Sequence, residues 1–212
     1  LASGSGGIWD GSLSLGTAGQ VVKVNSGASA LEFGTVSSDF VKLANGSFST
    51  SASTLDVDGY FSSTYNAYKL YVYGMQNTGH SGNTARLRFM QSGSEVTAGN
   101  YKYVNALYYR SSSNSGNTDS NNWNTGYADL CHLGNDNNSP SEGIIDILNP
   151  LSSAYKKVMW KFYSKDGTSQ YMQWDGSTTF TDNTNTLSGI RIYTHSGNWT
   201  NAGTWYLYGL KS

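Results

Sequence analysis

Cysteine is nearly absent: Cys131 is the only one in 212 residues. One thiol cannot build an internal disulfide framework or a cysteine-based zinc site. Proline occurs twice, and only 13% of residues are charged, about half the usual share for a globular domain. Lys and Arg number 13 against 14 Asp and Glu, a net charge of −1. No basic run occurs, so the electrostatic footprint of a nucleic-acid-binding protein is missing. No apolar stretch reaches the roughly 18 residues a spanning helix needs. Neither nucleic acid nor membrane insertion is therefore expected. A start at Leu1, with no methionine, charged n-region or apolar h-region, reads as a piece of a longer chain.

What fills the chain instead is Ser (32), Gly (25), Asn (20) and Thr (19), together close to half of it. All four rank low as helix formers. Tyrosine (16) and tryptophan (6) are abundant, which excludes disorder, since disordered chains are poor in aromatics. The remaining class is all-β, with Gly, Asn, Ser and Asp in turns and Tyr, Val, Leu and Trp in strands.

Composition divides the chain into residues 1–37 and 38–212. Residues 1–14 are small and polar, with Ile8, Trp9 and Leu13 as the anchors of a linker. Gln20–Val24 and Ala30–Phe33 then read as two short strands joined by Asn25-Ser26-Gly27-Ala28-Ser29, a hairpin with glycine at the strained position. A lone hairpin is barely stable in water. It needs a partner surface, and Leu15, Val22, Val24, Leu31 and Phe33 are the candidates for burial between chains.

Beyond Ser38 the pattern becomes longer strands of period two. In Thr84–Gln91, for example, Leu87 and Phe89 alternate with Arg86 and Arg88. About eleven such strands joined by turns predict an antiparallel β-sandwich of jelly-roll type. Ser111–Trp123 and Gly134–Ser141 hold almost nothing apolar and are expected to be polar loops.

Chemistry-bearing constellations are scarce. His80, His132 and His195 lie in separate segments without metal-type spacing, and no G-x-S-x-G occurs. Cys131 sits in the alternating run Tyr127–Leu133, where a buried thiol is the plain reading. Glu32, Glu95 and Glu142 are the only glutamates, and no carboxylate pair of the kind glycoside hydrolysis needs stands out. Asp58-Gly59, Asp166-Gly167 and Asp175-Gly176 are explained by turn chemistry. Asp119, Asp129 and Asp136 are oxygen donors of the type calcium prefers, but they form no ordered calcium loop. No catalytic residue, metal or cofactor is assigned.

The aromatics are the surplus. A sugar ring presents a flat C–H face that stacks on Trp or Tyr, while short polar side chains take its hydroxyls. Trp123 between Asn122 and Asn124, and Trp199 beside Asn198, fit that requirement; Trp174 beside Asp175 fits less well, because its alternating strand points it to the core, with Trp160 and Trp205.

Two segments carry a resemblance. Leu15–Phe33 (LGTAGQVVKVNSGASALEF) resembles the G-T-A-G-Q-V-L-x-V-N-S-G-A-T-A-L-E-W element of tail-fibre and related structural proteins of marine bacteriophages. It departs from that element at Val22, Ser29 and Phe33, all conservative in a packed hairpin. Gly189–Lys211 resembles, more loosely, the closing hairpin of phage fibre domains. The resemblance implies a non-enzymatic appendage of the virion, outside the cell, homotrimeric and in contact with other virion proteins. Its distal sandwich would recognise a host surface, here a bacterial surface glycan. Two alternatives stay open: a decoration protein that packs in the virion without binding glycan, and a secreted carbohydrate-binding module.

Overall fold

The computed structural model describes residues 16–35, 38–77, 83–112, 115–134, 140–165, 170–181, 185–200 and 203–211, with the backbone alone at 119 and 120. The chain divides into two units, Leu1–Asp39 and Phe40–Ser212.

In the first unit, β1 (Gln20–Val24) pairs antiparallel with β2 (Leu31–Thr35). Val22 faces Phe33 and Val24 faces Leu31, so these four side chains share one face of the hairpin. The opposite face carries Val21 and the Lys23–Glu32 ion pair (3.3 Å). The left-handed turn residue is Ala28 (φ 53°), where glycine was expected. Asn25 holds the turn: its carbonyl accepts from Ala28 N–H and its side-chain oxygen from Ser29 N–H (2.9 Å). Leu15 lies outside the described residues.

The second unit is a β-sandwich without helix among the described residues. Its strands are β3 (Phe40–Ser47), β4 (Thr54–Asp58), β5 (Tyr65–Met75), β6 (Thr84–Gln91), β7 (Ser94–Glu95), β8 (Tyr101–Arg110), β9 (Ser115–Thr125), β10 (Ala128–His132), β11 (Ser141–Leu148), β12 (Lys156–Lys165), β13 (Tyr171–Phe180), β14 (Gly189–Thr194) and β15 (Thr204–Lys211). The large sheet runs β3-β15-β5-β11-β12-β13-β8-β9; the small one runs β10-β6-β14-β4, with β7 on β6. All these strand pairs are antiparallel.

Alternation builds the core. On β12, Val158, Trp160 and Phe162 point inward while Lys157, Met159, Lys161 and Tyr163 face solvent. Opposite them, β6 supplies Leu87 and Phe89 and β14 supplies Ile190 and Ile192, all fully buried. Each such side chain contributes about 1.5–3 kcal/mol by leaving water. Phe89 bridges the sheets, stacked on Tyr101 (5.4 Å) and edge-on to Phe180 (5.6 Å). Two buried polar groups tie the sheets together: Tyr101 Oη donates to Val96 O and accepts from Phe89 N–H, and Asn105 donates to the carbonyls of Asp129 and Leu130 on β10.

Three local expectations are corrected. Ser111–Trp123 is not a loop: most of it is β9, an edge strand held by ten residues of pairing with β8. It looked loop-like because an edge strand here has no buried face to fill. Asp175-Gly176 lies inside β13, not at a turn; Gly176 leaves room for the Trp160 indole, which a Cβ would meet at 2.4 Å. A β-bulge between Asp129 and Cys131 breaks the alternation of β10, so Leu130 and Cys131 are both buried.

Candidate functional site

The sandwich has two solvent faces, and they differ in how their polar groups are employed. On the small sheet, the Arg191 guanidinium pairs bidentately with Asp56 (2.6 and 2.7 Å) and reaches Glu95 (3.2 Å), which also binds Arg88 (2.8 Å). Arg86 pairs with Asp129 (2.9 Å), whose other oxygen accepts from Tyr103 Oη (2.7 Å). Arg86 and Arg88 also cover the rings of Tyr127 and Tyr193. The hydrogen bonding that Arg191 donates to Asp56 is the main reason the Arg191 pKa is raised. This face is occupied by its own interactions.

The large sheet faces solvent with rings. At one edge stands Trp123 on β9, 70% exposed, the most open large apolar side chain among the described residues. The sheet register places Lys157, Thr179, Lys102 and Trp123 in one cross-strand row on β12, β13, β8 and β9. Lys102 Nζ lies 4.1 Å from the centroid of the indole, a cation–π contact. Next to this row, Ser177, Val104 and Asn121 complete the floor and wall of a shallow depression of about 390 Å³. A bulge follows Trp123: Asn124 has no partner in the ladder and adopts a left-handed conformation (φ 66°) that Asn tolerates.

At the other edge, β3, β15 and β5 display Phe40, Tyr71, Tyr73, Tyr206 and Tyr208 around a cleft of about 330 Å³. Phe40 stacks on Tyr208 (4.8 Å, 6°), and Tyr71 meets Tyr208 edge-on (5.8 Å). Lys42 lies over Tyr206 (4.9 Å). Between the two edges the face carries the Lys69–Asp146 and Lys161–Asp175 pairs, with Met159, Tyr163, Tyr108 and Tyr171 exposed around them.

The sequence-derived residues are thus partly regrouped. Asn122 lines the Trp123 depression, and its amide donates to Tyr103 Oη, so one end of it is engaged below the sheet edge. Asn124 shapes the bulge rather than flanking the ring. On a strand, the neighbours that share Trp123's face are two residues away or across the ladder, so Asn121, Lys102 and Thr179 take the places expected for Asn122 and Asn124. Trp199 is corrected: at 1% exposure, edge-on to Phe48 (4.9 Å), its ring offers no face to a sugar. Asn198 is exposed, yet its amide donates to Ser51 O (3.1 Å) and its carbonyl accepts from the buried Asn77 amide. Trp174 is buried as well, against His132 (4.6 Å). The tyrosine cleft was missed; its signal was two Tyr-x-Tyr pairs, Tyr71/Tyr73 and Tyr206/Tyr208, whose adjacency depends on the β5–β15 pairing.

Among the described residues no three His, Cys, Asp or Glu side chains gather in a way that could hold a metal ion. Cys131 is fully buried, and burial pushes its thiol pKa up. In comparison with known proteins, the chain matches no family model, no curated protein and no solved structure.

Proposed function

We propose that this chain is a structural and receptor-binding module of a phage fibre, carried outside the cell on the virion, that recognises a bacterial surface glycan and performs no catalysis. The observation that carries the reading is the Trp123 edge of the large sheet. The indole is open to solvent and is fixed on a paired strand beside Lys102, Asn121, Ser177 and Thr179. That combination of a flat apolar ring and short polar groups on a rigid ladder is what sugar stacking requires. The jelly-roll reading rests on strand order. The series β3-β15-β5-β11 and β4-β14-β6-β10 send successive strands to alternate sheets except at β6 and β10, which are neighbours in the small sheet, while β7 to β9 and β12 to β13 are additions.

The same proposal makes the molecule a homotrimer through its hairpin. Val22, Val24, Leu31 and Phe33 share a face, Val24 is 59% exposed, and a two-stranded sheet has no core of its own. Copies of the hairpin around a common axis would cover that face, and three weak glycan sites would then gain avidity. In the full chain, Val24→Asp with Leu31→Asp is expected to lower the mass seen by light scattering from three times 22.9 kDa to one; a variant that keeps the native mass would contradict the hairpin's role.

The functional test is a glycan array with native protein and Trp123→Ala. The native chain should bind a defined set of saccharides, and the variant should bind them about 30-fold more weakly at unchanged melting temperature, since losing a central aromatic anchor costs about 2 kcal/mol. An empty array would contradict glycan recognition and favour a packing role in the virion.

A further inference from the structure

Resting on that glycan reading, we infer that the Trp123 site selects acidic sugars, whose carboxylate is held between Lys102 and Lys157. The two lysines flank Thr179 in the cross-strand row that ends at Trp123. Two strand spacings put their backbones about 10 Å apart, with the Thr179 side chain between them and the indole one strand further on. Neither ammonium is paired with a described carboxylate, whereas Lys69 and Lys161 on the same face are each paired with an aspartate. Lys157 is exposed, and the Lys102 ammonium lies over the Trp123 ring; among the described residues neither takes part in an ion pair.

The neighbouring row reinforces the asymmetry. It reads Asp146, Met159, Ser177, Val104 and Asn121, and its single carboxylate is already bound to Lys69. Positive charge is therefore uncompensated beside the one open indole. A neutral sugar would use the ring and leave both ammoniums idle. A uronic or other carboxylated sugar uses all three: its C–H face on Trp123, its hydroxyls on Asn121 and Thr179, and its carboxylate on the lysines, through charge-assisted hydrogen bonds. A nucleic acid would also supply anions, but the depression is short and the rest of the face is punctuated by Asp146 and Asp175. A phosphate chain tracking the surface would meet these carboxylates.

The test measures the binding of the full-length chain to polygalacturonate, alginate and hyaluronate, to neutral dextran and pullulan, and to single-stranded oligothymidylate. Lys102→Gln, Lys157→Gln and Lys102→Arg are compared with the native chain, with melting temperature as the check on folding. The expected result is preference for at least one acidic polymer, weakened by added salt and reduced about fivefold by each Lys→Gln change. Lys102→Arg should keep most of the affinity. Binding of neutral but not acidic polymers would overturn acid selection and leave glycan recognition standing. Binding of no polysaccharide would overturn both. Oligothymidylate bound as tightly as the best acidic polymer would overturn it in favour of a general polyanion surface. Full affinity in both Lys→Gln variants would remove the lysines from the site.

Discussion

The two solvent faces of the sandwich are made by the same rule of alternation and end in opposite states. On the small sheet the outward positions hold arginines and carboxylates that neutralise one another, capped by Tyr127 and Tyr193. On the large sheet they hold rings and lysines, and at the Trp123 edge the indole stays open to solvent while neither Lys102 nor Lys157 is paired with a described carboxylate. A face whose groups satisfy each other serves stability. A face whose groups are held in place yet remain unused is where binding energy can still be gained from a ligand. The difference separates residues that support the fold from residues that act, although both sets are exposed and both include aromatics.

Four experiments can break or sharpen this division. The largest effect is expected where the faces share a foundation. Phe89→Ala empties the contact with Tyr101 and Phe180 that joins the sheets. It should cost about 3–5 kcal/mol in urea unfolding and weaken everything on both faces together; a mild loss would mean the sheets stand independently.

Alkaline pH probes the same interior. Burial raises the pKa of Cys131, Tyr101 and Tyr103 above their ordinary values of 9.0 for the thiol and 10.0 for the phenols. A raised folded-state value means that the neutral form is favoured on folding. The stability it brings is whole below the unfolded-state pKa and declines as pH rises beyond it. Stability should therefore start to fall near pH 9, through Cys131 first, and steepen past pH 10 as the phenols join. In Cys131→Ala the first part of that decline should be absent from denaturation curves taken between pH 8 and 10; a decline identical to the native chain's would place its cause elsewhere.

Next in size is the small-sheet face itself. Arg191→Met removes the bidentate pair with Asp56 and the link to Glu95. The expected loss is about 1–2 kcal/mol in thermal unfolding, with saccharide affinity unchanged. Weaker binding would erase the distinction between the faces. The smallest effect on stability is expected from Trp123→Ala, within about 0.5 kcal/mol by the same measurement, because its ring buries so little. A large destabilisation would make Trp123 a structural residue and not a ligand-facing one.

Much of the fold was legible where each strand has one wet and one buried face. β6 stands where the alternation of Leu87 and Phe89 with Arg86 and Arg88 placed it, and β1 keeps its expected bounds. β9 was illegible for the same reason: its residues are polar on both faces, and it exists because β8 lends it a ladder, which no local pattern announces. The site was half legible. Trp123 was identifiable as an aromatic with no apolar neighbours. Its true companions, Lys102, Thr179 and Lys157, lie on other strands and follow only from register. Trp199 misled because its sequence neighbours are polar, whereas the residue that buries it, Phe48, is far away along the chain. The bulge at Cys131 was likewise invisible, since one inserted residue changes the phase without changing the composition.

The central claim, that the ligand occupies the large-sheet face, is tested most directly by hydroxyl-radical footprinting of the aromatic side chains with and without the tightest saccharide from the array. Trp123 should be protected most strongly, and Tyr127 and Tyr193 on the small-sheet face should react as they do in the free chain. Protection of Tyr127 and Tyr193 with Trp123 unchanged would contradict the account.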